Sequence, residues 1–84
     1  MPYYEFIWTD QIVAHLAEHA VTPQDFEYVV QTSQETGLSD SSGLPAVWGY
    51  TRDGRHIMAI YEAIDELTLL PVTAYPVPAR RRKR

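Results

Sequence analysis

The stretch Ala46-Val47-Trp48-Gly49-Tyr50-Thr51-Arg52-Asp53-Gly54-Arg55-His56-Ile57-Met58-Ala59-Ile60-Tyr61-Glu62 decides how this chain folds. Two runs of strand-forming residues, Ala46–Thr51 and Arg55–Glu62, flank Asp53-Gly54, a dipeptide that favours the positive backbone angles of a tight hairpin. A two-residue turn pairs Arg52 with Arg55, Tyr50 with Ile57, Trp48 with Ala59 and Ala46 with Tyr61. Directly paired residues share a face of the sheet. One face then carries Trp48, Tyr50, Tyr61, Arg52 and Arg55, and the other Val47, Gly49, Thr51, His56, Met58 and Ile60. The second set is smaller and more aliphatic and suits a layer of helices, which leaves the aromatic–arginine set open. A slip of one residue in register exchanges the faces.

Working outward, Leu67–Tyr75 reads as a further strand after a turn at Asp65-Glu66, with an edge or bulge at Pro71, which has no N–H to donate. Upstream, residues 32–45 hold eight Ser, Thr or Gly residues and no apolar period, and read as a long surface loop. Before it lie two amphipathic helices. Thr22 caps the second, with Pro23 at its first position, Asp25 closing a capping box and Phe26, Val29 and Val30 as its buried stripe. Thr9 caps the first, over residues 10–20, with Ile12, Val13, Leu16, Ala17 and Ala20 within one arc. Trp8 and Val13 fit a hydrophobic staple at its start. Residues 3–8 form a short first strand. The expected fold is α+β, in the order β-α-α-β-β-β, with both helices on one face of an antiparallel sheet. It occupies residues 1–77, with a basic tail at 78–84.

Eighty-four residues make one domain with a thin core. The chain has no cysteine, which removes disulfides and thiolate metal sites. No secretion signal and no membrane-length apolar run are legible, and the expected location is cytoplasmic. Charge is strongly segregated. Five of the seven basic residues are Arg80, Arg81, Arg82, Lys83 and Arg84. Residues 1–79 keep Arg52 and Arg55 against eleven acids, a net charge of −9. Such a body repels a polyanion while the tail attracts one.

Two groupings carry candidate chemistry. Cleavage of RNA through its 2′-hydroxyl needs a base, a cation at the phosphate and an acid for the leaving oxygen. His56, Arg55, Tyr75 and Glu62 are the residue types that supply those roles. Trp48 and Tyr50, with Arg52 and the tail cations Arg80, Arg81, Arg82, Lys83 and Arg84, are candidates for stacking bases and holding phosphates. The same aromatics fit equally into a packed core. His15 and His19 bracket Glu18 in an inverted zincin spacing, but with neither a third ligand nor room for a cleft they read as structural. No metal and no cofactor is expected.

The string Glu5-Phe6-Ile7-Trp8, followed by His15, then Glu18-His19-Ala20-Val21-Thr22-Pro23-Gln24-Asp25-Phe26, resembles the opening of BrnT-type toxins. Gly49-Tyr50-Thr51, Asp53-Gly54-Arg55 and Pro71-Val72-Thr73-Ala74 are similar to that family's hairpin and last strand, in the same order. The resemblance covers residues 3–75. It implies a RelE-like fold, metal-independent cleavage of RNA and neutralisation by a cognate antitoxin protein. Where the family continues its last strand with Ser-Ala-Arg, this chain has Thr73-Ala74-Tyr75-Pro76, and Pro76, Pro78 and the basic run stand in place of the family's C-terminal helix. The expectation is a toxin-like domain of weak or lost ribonuclease activity, or a non-catalytic module binding protein or RNA on the same fold.

Overall fold

The computed structural model describes residues 4–40 and 42–78. Strand β1 (Glu5–Phe6) leads to helices α1 (Asp10–Ala17) and α2 (Pro23–Thr32), followed by strands β2 (Glu35–Leu38), β3 (Pro45–Tyr50), β4 (His56–Ala63) and β5 (Thr68–Pro76). The strands form one five-stranded sheet in the order β1-β5-β4-β3-β2. The four strands β2 to β5 are antiparallel neighbours, and β1 adds to β5 in parallel through Glu5 opposite Thr68 and Phe6 opposite Leu69. The fold is α+β, with a strand, two helices and then the sheet strands, as the sequence indicates.

Helix entry follows from the side chains at each start. Thr9 Oγ1 accepts from the Ile12 N–H at 3.1 Å. At α2 the capping box is complete: Asp25 N–H donates to Thr22 Oγ1 at 3.0 Å, and Thr22 N–H to Asp25 Oδ2 at 3.1 Å. Each bond satisfies a donor that the helix itself leaves open. The first helix is shorter than its apolar arc indicates. It ends at Ala17, and Ala20 turns the chain at φ 61° so that α2 can start almost at once. Val13 is exposed and forms no staple; Trp8 packs instead edge-on to Phe26, with ring centroids 5.5 Å apart.

Leu16 from α1, Phe26, Val29 and Val30 from α2, and Val47, Ile57, Ala59, Leu69 and Ala74 from the sheet form one buried cluster on the helix side. A smaller cluster of Ala46, Met58 and Ile60 lies on the opposite face, with Leu44, Trp48, Tyr75 and Val77 around it.

Two further elements differ from the sequence reading. The polar stretch 32–45 contains β2, paired with β3 through Glu35 opposite Trp48 and Gly37 opposite Ala46. This edge strand has one neighbour and is largely exposed, so no apolar alternation marks it. The hairpin register also slips by one residue. Tyr50 stands opposite His56, Trp48 opposite Met58 and Val47 opposite Ala59. The loop holds three residues, Arg52-Asp53-Gly54, closed by Thr51 N–H donating to the Arg55 carbonyl at 2.8 Å, with Gly54 at φ 90°. This is the three-residue hairpin with glycine in the left-handed position. At Pro71 the expected irregularity is present: the ladder shifts between Ile60 and Tyr61, opposite Thr73 and Pro71.

At Gly49 the end of α2 lies close against the sheet. A Cβ built there lies 2.9 Å from Ser33 Cβ and 3.2 Å from Val29 Cγ1. Ser33 is also anchored here, its hydroxyl donating to the Trp48 carbonyl. Gly49→Ala is therefore expected to push α2 off β3 and cost about 1–3 kcal/mol, the range for overpacking. In a chain this small each kcal/mol lowers Tm by about 4–8 °C, which thermal unfolding reads directly.

Candidate functional site

The slipped register redistributes the candidate residues. Trp48 and Tyr50 stay on the open face, but they are joined there by His56 and Met58 rather than by Arg55 and Tyr61. Tyr61 belongs to the helix side, where burial, with Tyr4 nearby, raises its phenol pKa.

On the open face the Tyr50 and His56 rings sit 4.8 Å apart. His56 Nδ1 lies 3.3 Å from the Val77 carbonyl oxygen. A carbonyl only accepts, so Nδ1 carries the hydrogen of that bond and Nε2 is left to accept. Tyr75 stands opposite Met58 and donates its hydroxyl to Met58 Sδ at 3.6 Å. His56 is two residues from Met58 on the same face, which makes His56 and Tyr75 diagonal neighbours at about 7–8 Å between backbones. Helix α1 and the turn after it add a rim that the sequence reading did not join to this face. His19 lies 6.0 Å from the Tyr75 ring and 5.4 Å from the His15 ring, and His15 Nε2 is 2.8 Å from Thr73 Oγ1. The signal for it was the one-turn spacing of the two histidines, which the sequence reading took as structural without placing them against the last strand. Among the described residues, no group of three or more His, Cys, Asp or Glu side chains is placed to hold a metal ion.

The other candidates lie elsewhere. Glu62 is exposed six residues further along β4, about 20 Å from His56 at strand rise. Arg55 turns to the helix side. Its guanidinium bridges Asp25 Oδ2 at 3.0 Å, Asp53 Oδ2 at 3.0 Å and the Ala20 carbonyl at 2.5 Å. It ties the hairpin loop to the α1–α2 turn and to the α2 capping box. Asp53 is held below the ordinary carboxylate pKa, first by the Thr51 hydroxyl and then by Arg55. Arg52 lies over the Tyr28 ring, 5.1 Å from its centroid, and borders an open hollow of about 370 Å³ lined also by Gln24, Asp25, Glu27 and Gln31. The candidate tail residues Arg80, Arg81, Arg82, Lys83 and Arg84 lie outside the described residues.

The structure thus brings together Trp48, Tyr50, His56 and Tyr75, and separates them from Arg55, Arg52 and Glu62. The face offers an acid–base imidazole, a phenol and stacking surface, without a described arginine or lysine beside them. Arg55→Ala is expected to lower stability by about 1–2 kcal/mol, at the low end of what hydrogen bonds to charged groups contribute because the guanidinium is partly solvated. Arg55→Lys should recover little, since one ammonium cannot reach three acceptors set around a planar fork. Urea unfolding of both variants checks this, and unchanged midpoints would return Arg55 to the list of groups free for chemistry. No helix among the described residues is long and apolar enough to cross a membrane. No protein-family model matches the chain, and no curated protein or solved structure matches it significantly.

Proposed function

We propose that this chain is a toxin-like domain of a type II toxin–antitoxin pair, with weak or lost ribonuclease activity and a cognate antitoxin as its partner. The β-α-α-β layout with both helices on one side of the sheet agrees with the RelE-like fold that the BrnT resemblance implies. The observation that carries the reading of weak activity is the position of the two body arginines. Arg55 is committed to Asp25, Asp53 and Ala20, and Arg52 to Tyr28. An RNA-cleaving transition state gathers negative charge on phosphate, and positioned cations lower its energy. His56 and Tyr75 have no arginine or lysine beside them among the described residues. RNA contact then falls chiefly to the tail.

A second reading, a non-catalytic interaction domain, is favoured by the composition of the open face. Tyr50 is 54% exposed there, beside half-buried Trp48 and Tyr75, the kind of aromatic surface that protein interfaces use.

The experiment is expression in bacterial cells without any partner, following growth and RNA integrity together. Near-normal growth with intact RNA, unchanged by His56→Ala, is the expected result. Growth arrest with cleaved RNA that His56→Ala abolishes would establish an active ribonuclease instead. Absence of any binding to the product of an adjacent reading frame would favour the second reading.

A further inference from the structure

The open face carries one sign of charge. Glu35 stands opposite Trp48 and so shares its face, and strand alternation places Glu62 there with His56, Met58 and Ile60. Neither described arginine reaches it: Arg55 is paired on the helix side, and Arg52 lies over Tyr28 of α2. The result is an aromatic surface with carboxylates and no described arginine or lysine. Such a surface repels a polyanion and attracts guanidinium groups, which stack on tyrosine and tryptophan rings.

The chain leaves the sheet beside this surface. Val77 N–H donates to the His56 carbonyl at 3.0 Å, and the Val77 side chain packs on the open-face cluster next to Tyr75. Pro78 follows, and the next residues are Ala79 and the five consecutive cations Arg80 to Arg84. Six residues reach about 20 Å when extended, enough to return from the His56 end across Tyr50 and Trp48. A short tether also raises the local concentration of those cations at the face to about the millimolar range.

We infer that residues Arg80–Arg84 dock on the open sheet face of their own chain, stacking guanidinium groups on Tyr50 and its neighbouring rings within the field of Glu35. The occupant of the face is then the tail, not RNA, and nucleic acid has to compete for those cations. The inference does not depend on the domain being toxin-like.

The test uses the full chain labelled for NMR, compared with the variant R80Q/R81Q/R82Q/K83Q/R84Q. The two tryptophans report on opposite sides: Trp48 borders the open-face cluster, while Trp8 is on the helix side with its indole N–H bonded to Glu27 at 2.7 Å. Neutralising the tail should shift the Trp48 indole signal and the Tyr50, His56 and Tyr75 ring signals, leaving the Trp8 indole in place. Sodium chloride at ~1 M, where charges are screened beyond about 3 Å, should move the native chain the same way and the variant little. Identical open-face signals in the two chains would overturn the docking. So would shifts confined to residues off the open face, and tail-dependent shifts that fade on dilution, which would assign the tail to a second copy.

Discussion

Phe26→Ala is expected to remove about 3–5 kcal/mol of folding stability, the range for deleting a buried aromatic side chain. A small domain has only about 5–15 kcal/mol in total, so this one change should leave the chain near its folding threshold. Phe26 has no solvent exposure. It meets Trp8 at 5.5 Å and Phe6 at 6.2 Å, both edge-to-face, contacts worth about 0.5–1.5 kcal/mol each beyond their burial. These rings join the incoming β1 strand to α2, across 18 to 20 residues of sequence. Phe26 belongs to the buried cluster between helices and sheet, and a chain of this length has little other core to draw on. Alanine there leaves a cavity inside that cluster, so the lost burial and the lost contacts both count against the folded state. Urea unfolding followed by tryptophan fluorescence checks the prediction, with Trp8 as the reporter beside the lesion. A midpoint close to that of the unmodified chain would show that the aromatic triad is not what holds β1 and α2 together.

The same triad shows which parts of the structure local sequence could announce. The α2 start was legible because Thr22, Pro23 and Asp25 act within one turn of chain, and the capping box forms as their spacing dictates. The irregularity at Pro71 was legible for a similar reason, since a residue without an N–H marks its own gap in a ladder. Trp8 was different. Its position before a helix cap favours a contact with Val13, yet Phe26, eighteen residues away, offers a larger and fully buried surface, and the tertiary contact wins. Strand β2 was hidden because an exposed edge strand needs no apolar alternation; Gly37 is there to let the Trp48 ring lie over it, with 3.1 Å from a built Cβ to Cζ3. The register of the β3–β4 hairpin turned on a few local bonds. Thr51 Oγ1 bonds to Asp53 and accepts from the Arg55 N–H at 3.1 Å, which stabilises a three-residue loop where Asp-Gly alone favours two. That single residue moved His56 to the open face and Arg55 away from it, so the candidate site changed membership although both hairpin strands were placed to within a residue.

The second large effect concerns nucleic acid. A chain ending at Ala79 is expected to lose nearly all affinity for single-stranded RNA. It keeps Arg52 and Arg55, and both are engaged within the fold, in a body whose net charge is −9. Counterion release gives a slope of about −0.7 in log K per log salt for each phosphate neutralised on a single strand. The five tail cations, fully used, give a slope of about −3.5 on that basis, so the intact chain should bind up to roughly 10³-fold more tightly at ~0.1 M salt than at ~1 M. The shortened chain should show weak binding with almost no slope. Fluorescence anisotropy of a short labelled RNA across a salt series measures both quantities at once. A tail held on the open face lowers the apparent affinity of the intact chain, because the contacts to Tyr50 and its neighbours must first be given up. It also makes the slope shallower than that of a free tail, since salt loosens the docked tail as well and relieves the competition. Affinity retained in the shortened chain, with an unaltered slope, would place the RNA contact on the body and return Arg52 and the open-face aromatics to that role.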